Sequence, residues 1–139
     1  MDDTAKPRLP FWIFAGLSLL WNAFGAYDWL MTNAREAAYV AQFPPETMQF
    51  VDGMPYWALG AWALGVWAAV VGSVLLLLRS RFAVHAFAAS LAGLAANTAY
   101  MALGGMLLSR PVGLTLAIWV VAILLLCYAM RMRKKGMLR

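Results

Sequence analysis

Four long apolar runs occupy most of this 139-residue chain and constrain its fold more than any other feature. A helix needs about 20 apolar residues to cross a hydrocarbon core of about 30 Å, and each run is about that long or longer. Hydrophobic residues make up 64% of the chain, whereas soluble domains average about 45–50%. The sequence therefore predicts an all-α membrane protein, a single four-transmembrane-helix bundle over residues 1–139. The predicted spans cover about residues 10–31, 56–78, 82–108 and 112–130.

Basic residues are unevenly divided between the two ends of the predicted bundle. Nine of the eleven Lys and Arg residues lie at the end that holds both termini, and only Arg35 and Arg110 lie at the other. Because loops rich in Lys and Arg stay in the cytoplasm, we expect a bacterial inner-membrane protein with both termini cytoplasmic. The net charge of +5 is assigned to topology and to anionic lipid headgroups, and no nucleic-acid partner is expected.

The segments outside the spans are short, apart from one outer loop over residues 32–55. Residues 1–9 are polar and are expected to lie outside the first span, which is expected to be retained rather than cleaved. The loop is predicted to form a short helix over residues 34–43, followed by a fresh helix start near Pro45. Its apolar side chains predict either a cap on the outer end of the bundle or a helix lying on the membrane interface.

Polar side chains within the first and third spans are the candidates for a ligand site or a pathway. Asn22, Asp28 and Trp21 lie in the first span, and Asn97 and Tyr100 lie in the third. Counted from the predicted inner ends at about 1.5 Å per residue, the two asparagines lie at similar depth. They are expected to hydrogen-bond each other or to share a water, as part of a polar path or as packing contacts.

Asp28 is the only carboxylate within a predicted span. It lies near the outer interface, where a charge costs much less than at the membrane centre. It could serve as a cation or proton site. Alternatively, it could form a salt bridge to Arg110 or Arg35, or accept a hydrogen bond from the loop backbone.

Small residues recur at helical spacing and predict close helix packing. Ala61, Gly65 and Gly72 follow one another in the second span, Gly25 lies in the first and Gly93 in the third. Such residues let the backbones of neighbouring membrane helices approach each other closely. We interpret all five as helix-packing residues.

The chain carries no recognised catalytic or metal-binding sequence pattern. There is no nucleophile elbow, glycine-rich phosphate loop or HExxH motif. His85 and Cys127 are the only residues of their types, and neither has partners at metal-ligand spacing. No enzyme activity, metal or cofactor is expected.

Three strings carry a resemblance to a group of proteins. The string LLWNAFGAYDWLMT, the loop AYVAQFPPE with the following DGMPYWALGAWALGVW, and the turn LLLLRSRFAV are similar to small bacterial four-span inner-membrane proteins without an established activity. Some members of that group are labelled sugar transporters. The resemblance covers roughly residues 8–90 and implies a four-span fold, but it carries no catalytic or binding residue over to this chain.

Three classes of function follow as hypotheses. The first is a non-enzymatic structural or accessory protein that packs as a homo-oligomer or beside a larger membrane protein. The second is a small-solute transporter or channel with a polar path between the first and third spans. The third is a bundle that binds a lipid or a quinone, with the aromatic outer loop as its lid.

Overall fold

The computed structural model describes residues 6–139, and in this part of the chain all regular structure is helical. The prediction that residues 1–9 lie outside the first span therefore concerns residues that are partly outside the described range. Four of the helices are long and apolar enough to cross a membrane by length and composition, which confirms the predicted fold class. The helices are α1 (Leu9–Asn33), α2 (Ala37–Val40), α3 (Pro45–Asp52), α4 (Tyr56–Leu77), α5 (Ala83–Leu103) and α6 (Val112–Lys134), with a 3-10 turn at Leu107–Ser109.

Prolines mark the starts of four helices. Pro10 lies in the first turn of α1, Pro45 is the first residue of α3, and Pro55 and Pro111 directly precede α4 and α6. Proline fits these positions because its missing N–H would have no partner within the helix and its fixed φ suits the first turn. The fresh start predicted near Pro45 is confirmed.

Three predicted helix boundaries differ from the structure. The fourth helix continues to Lys134 instead of ending near residue 130, and a left-handed residue accounts for the end of α5 and the start of α2. The third span ends at Leu103, not Leu108, because Gly105 has a φ of 73° and Met106 N–H closes the end by donating to Met101 O. The loop helix is shorter than residues 34–43 because Arg35 has a φ of 57°. The chain then restarts at Glu36, whose carboxylate accepts from Tyr39 N–H and caps α2.

The four long helices pack in the order α1, α4, α5, α6, so that α4 lies between α1 and α5. The closest approach is between α4 and α5, where Gly65 and Gly93 meet backbone to backbone. Ser90 of α5 also donates its hydroxyl hydrogen to Gly65 O. Small residues allow this approach, and the hydroxyl adds an interhelical hydrogen bond.

The core lies toward one end of the bundle, which we call the terminal end. This end comprises the start of α1, the turn at residues 78–82 and the C-terminal segment 135–139. We call the opposite end, with residues 34–55 and 104–111, the loop end. All four long helices meet in one cluster at the terminal end, made of Phe11, Ala15, Leu76, Ala83, Phe87, Leu125, Ala129, Met132 and Leu138.

Candidate functional site

A buried polar cluster joins α1 to α4 and consists of Ser18, Asn22 and Ser73. Asn22 Nδ2 donates to Ser73 Oγ at 2.9 Å and lies 3.3 Å from Ala69 O. The Ser18 hydroxyl lies 2.8 Å from Ala15 O and 3.2 Å from Ser73 Oγ, and Ser73 donates to Ala69 O at 3.0 Å. The three side chains are therefore bonded to one another and to helix backbone.

The predicted hydrogen bond between Asn22 and Asn97 is wrong. Asn22 lies level with Ala69 of α4, whereas Asn97 and Trp62 of α4 line one cleft. Seven residues of helix separate Ala69 from Trp62, or about 10 Å at 1.5 Å per residue. The depth count compared α1 with α5 directly, whereas the partner of Asn22 is determined by the register of α1 on α4, which places Asn22 beside Ala69.

A cleft at the loop end contains Asn97. It has a volume of about 60 Å³ and lies between α3, α4, α5 and the 3-10 turn; its lining includes Phe50, Trp62, Asn97, Met101, Met106 and Arg110. Asn97 Oδ1 is buried and has no hydrogen-bond partner in residues 6–139. Buried polar atoms without a partner are rare in folded proteins, and each needs an explanation.

A smaller cleft adjoins the first one. It has a volume of about 20 Å³, lies between α5 and α6, and shares Met101 and Arg110 with the larger cleft. Thr115 lines it, and its Oγ1 is also buried without a partner in the described part of the chain. Two buried oxygens without partners, Asn97 Oδ1 and Thr115 Oγ1, therefore belong to residues that line clefts sharing Met101 and Arg110.

The outer loop covers this end of the bundle, as the cap interpretation predicts. The Phe50 ring of α3 lies 5.3 Å from the Tyr100 ring, and Trp57 contacts Tyr100 edge-on at 5.4 Å. Tyr100 is thus a packing residue beside the cleft. Trp21, the remaining candidate from α1, is 40% exposed on the bundle surface.

Asp28 forms neither of the predicted salt bridges. It accepts a hydrogen bond from the hydroxyl of Tyr39 in α2, at 2.7 Å. Arg35 pairs instead with Asp52, which closes the loop on itself. Burial and the hydrogen bond to the Asp28 carboxylate raise the pKa of Tyr39 from 10.0 to about 12, because both disfavour the phenolate.

We predict that this contact is visible in a pH titration. A group whose pKa is higher in the folded state stabilises the fold below its unfolded pKa, and the contribution is lost as pH rises through the folded value. The folded protein should therefore lose stability between pH 10 and about 12, and Tyr39→Phe should lose less over that range. The measurement is unfolding temperature against pH, paired with the phenolate difference spectrum of wild type minus Tyr39→Phe.

The control for this titration is Tyr56→Phe, since Tyr56 is 93% exposed. It should leave the stability profile unchanged. A difference spectrum that shows Tyr39 ionising at pH 10, with Asp28→Asn leaving that midpoint in place, would contradict the contact.

The five predicted packing glycines and alanines all lie at helix contacts. A Cβ on Gly25 would lie 3.6 Å from Val66 of α4, and one on Gly72 would lie 2.7 Å from the Phe87 ring of α5. A Cβ on Gly93 would lie 2.5 Å from Gly65 N and 2.7 Å from Ala61 O. These residues therefore position the α1, α4 and α5 backbones.

The described residues contain no group of three or more His, Cys, Asp or Glu side chains that could hold a metal ion. Their charges are segregated along the bundle axis. The basic residues of the terminal end face no acidic residue of that end within residues 6–139, whereas Asp28, Glu36, Glu46 and Asp52 all lie toward the loop end. Any ligand binding at the loop end therefore depends on the residues that line the cleft.

Sequence reasoning missed two features of the site. Ser73 directly follows Gly72 of the small-residue series, so the sequence already places a polar side chain beside a predicted helix contact. Identifying it as the partner of Asn22 requires the register of α1 on α4, which the sequence does not give. Arg110 was considered only as a charge and as a partner for Asp28. Its position on both clefts depends on the break at Gly105 and the 3-10 turn.

Comparison with protein-family models, with curated proteins and with solved structures finds no match to this chain.

Proposed function

We propose that this chain is a non-enzymatic structural or accessory protein of a membrane, packing as a homo-oligomer or beside a larger membrane protein. The observation that carries the proposal is the closed polar cluster of Ser18, Asn22 and Ser73, in which the polar side chains bond one another and helix backbone. In membranes such bonds hold helices together. A solute pathway instead needs polar groups that are free to exchange partners.

The outer surface of the bundle supports the same proposal. Leu17, Leu20 and Phe24 are exposed on α1, and Leu116, Val120 and Leu124 are exposed along α6 at helical spacing. Of the four long helices, α6 is the least buried: only 11% of its most apolar 18-residue stretch lies inside the bundle. These surfaces suit lipid tails and the apolar helices of a neighbouring protein.

The proposed location is a bacterial inner membrane with both termini in the cytoplasm. The support is the charge asymmetry: Arg35 and Arg110 are the only basic residues at the loop end, and the positive-inside rule keeps the Lys- and Arg-rich end in the cytoplasm. The outer loop then lies on the periplasmic side. Small-solute transport has weaker support, since Asn22 and Asn97 do not face each other.

Native mass spectrometry of the full chain in membrane nanodiscs tests the proposal directly. The expected result is a defined oligomer, or a fixed protein partner, in place of a monomer. A monomer without any protein partner, combined with solute flux in proteoliposomes, would overturn the accessory role.

We also predict that Asn22→Leu leaves the bundle folded and lowers the free energy of unfolding by about 1 kcal/mol or less. The reason is that Ser18 and Ser73 keep their backbone acceptors after the amide is removed. Unfolding in detergent micelles measures the change. The matched control is Asn33→Leu, which removes only an amide bond within α1, to Trp29 O.

A different outcome would point to a pathway. If Asn22→Leu retained the stability and oligomeric state of the wild type but abolished a measured flux, Asn22 would be a pathway residue and the structural role would be wrong.

A further inference from the structure

We propose that the loop-end cleft binds one phospholipid headgroup that carries both a negative charge and free hydroxyls, as a glycerol-phosphate headgroup does. Arg110 would bind the phosphate and Asn97 Oδ1 would accept from a headgroup hydroxyl. This site is independent of the accessory role proposed above.

The first step of the argument is the unpaired acceptor. Asn97 Oδ1 is shielded from solvent and accepts no hydrogen bond within residues 6–139, although it lines a cleft. A ligand that donates a hydrogen bond satisfies an acceptor that the protein leaves open. Hydroxyls and amines donate, whereas an ester or a bare phosphate diester does not.

The second step is the charge of the cleft. Arg110 is partly buried and forms no ion pair with any residue from 6 to 139. The four carboxylates of the loop end are engaged elsewhere or lie off the cleft: Asp28 and Asp52 have partners of their own, Glu36 caps α2, and Glu46 is not among the lining residues. A guanidinium binds phosphate oxygens through two parallel hydrogen bonds, which makes arginine well suited to this ligand.

The third step is the position of the charge. α6 begins at Val112, directly after Arg110 and Pro111. The first N–H groups of a helix have no partner within it and give that end a partial positive charge. The helix start therefore adds to the attraction for an anion at Arg110.

The fourth step is size and surroundings. The cleft of about 60 Å³ has room for about four to six water molecules at about 10–15 Å³ each, which suits a headgroup and not a whole lipid. Met101, Met106 and Trp62 provide apolar walls. The adjoining small cleft lies between α5 and α6, two helices that are long and apolar enough to cross a membrane, so the acyl chains of a bound lipid would lie outside the bundle.

The test uses the full chain in a non-ionic detergent and three probes. Dioctanoyl phosphatidylglycerol has the charge, the hydroxyls and the chains; dioctanoyl phosphatidylcholine has the chains and phosphate without net charge or hydroxyls; glycerol 3-phosphate has the headgroup alone. Native mass spectrometry gives stoichiometry, and titration gives affinity. We expect one phosphatidylglycerol per chain and at least tenfold weaker binding of phosphatidylcholine.

Glycerol 3-phosphate separates the two sources of this chemistry. Binding much weaker than that of phosphatidylglycerol identifies a membrane lipid as the ligand. Equal binding identifies a soluble phosphate ester and leaves the site assignment intact.

Variants assign the binding to the cleft. Arg110→Gln should weaken phosphatidylglycerol binding at least tenfold, whereas the matched control Arg35→Gln, at the other loop-end arginine, should change it less than twofold. Asn97→Leu should weaken binding about fivefold while the unfolding temperature without lipid stays the same or rises, because no unpaired oxygen remains buried. A purely structural asparagine would lose stability instead.

Three results would overturn the site: equal affinity of wild type and Arg110→Gln, an equal loss in Arg35→Gln, or phosphatidylcholine binding as tight as phosphatidylglycerol. If Arg110→Gln does not fold, the Asn97→Leu comparison decides alone. Unchanged affinity in that variant rejects the proposal.

Discussion

Replacing Gly93 with valine is expected to lower the free energy of unfolding by about 3 kcal/mol, the upper part of the range for overpacked sites. A Cβ at this position would lie 2.5 Å from Gly65 N, 2.7 Å from Ala61 O and 3.0 Å from Gly65 Cα. All three atoms belong to the α4 backbone, which cannot rotate away as a side chain can. α4 and α5 would have to separate, and the hydrogen bond from Ser90 to Gly65 O would be strained with them.

Two glycines provide matched controls for this change. A Cβ on Gly16 of α1 or on Gly60 of α4 would meet nothing within 4 Å. Valine at either position should leave stability within about 0.5 kcal/mol, as surface substitutions usually do. Reversible unfolding in mixed micelles, followed by circular dichroism, measures all three variants.

Gly72→Val separates backbone contact from side-chain contact. Its Cβ would also lie close to a neighbour, at 2.7 Å, but the neighbour is the Phe87 ring. Since a side chain can shift within the core at a cost of about 1–3 kcal/mol, whereas a helix backbone cannot shift alone, we expect a smaller loss than for Gly93→Val. If Gly93→Val unfolded like Gly60→Val, the described approach of α4 and α5 would be wrong.

The packing glycines show how far sequence reasoning reaches. The spacing of Gly65 and Gly72 predicted a close neighbour for the second span. Periodicity places residues on a face of their own helix. It carries no information on the axial level at which two faces meet, and so Gly93 opposite Gly65 required the structure.

The same limit explains the error at Asn22. Asn22 was expected to hydrogen-bond another span of the bundle, and it does so, but its partner is α4. The partner was chosen by residue type and depth, which favoured the amide of Asn97 over the hydroxyl of Ser73. The register of α1 on α4 places Asn22 beside Ser73 and Ala69, and this register determines the partner.

Charge reasoning failed for individual pairs. Arg35 and Arg110 were both candidates for Asp28, but the left-handed turn at Arg35 brings it to Asp52, and Asp28 is occupied by Tyr39. Arg110 is then left without a carboxylate in the described residues. Its availability for a ligand is a consequence of loop geometry that no residue spacing encodes.

Sequence reasoning assigned the basic residues near the C-terminus only to topology and to lipid headgroups, yet the C-terminal segment closes the terminal end of the core. Gly136 has a φ of 70°, and Met137 N–H donates to Met132 O, which turns the chain back at the end of α6. Arg139 then exchanges backbone hydrogen bonds with the turn between α4 and α5. Arg139 N–H donates to Arg79 O at 2.6 Å, and Arg81 N–H donates to Arg139 O at 2.7 Å.

Leu138→Ala is therefore expected to lower the free energy of unfolding by about 2–3 kcal/mol, since Leu→Ala in a core costs about 2–5 kcal/mol. Leu138 is 6% exposed and lies in the cluster with Leu76 and Phe87. The hydrogen bonds of Arg139 are made by backbone and survive the substitution, so the loss reports burial of one side chain. Unfolding in micelles gives its size.

The control for this prediction is Leu108→Ala. Leu108 is 87% exposed in the 3-10 turn, so this substitution removes the same atoms from the surface instead of from the core. It should change stability by no more than about 0.5 kcal/mol. Equal effects of the two substitutions would show that the segment does not close the core. A loss confined to Leu138→Ala, with faster hydrogen exchange at Arg81 N–H, would show that one buried leucine holds the turn between α4 and α5 against the end of α6.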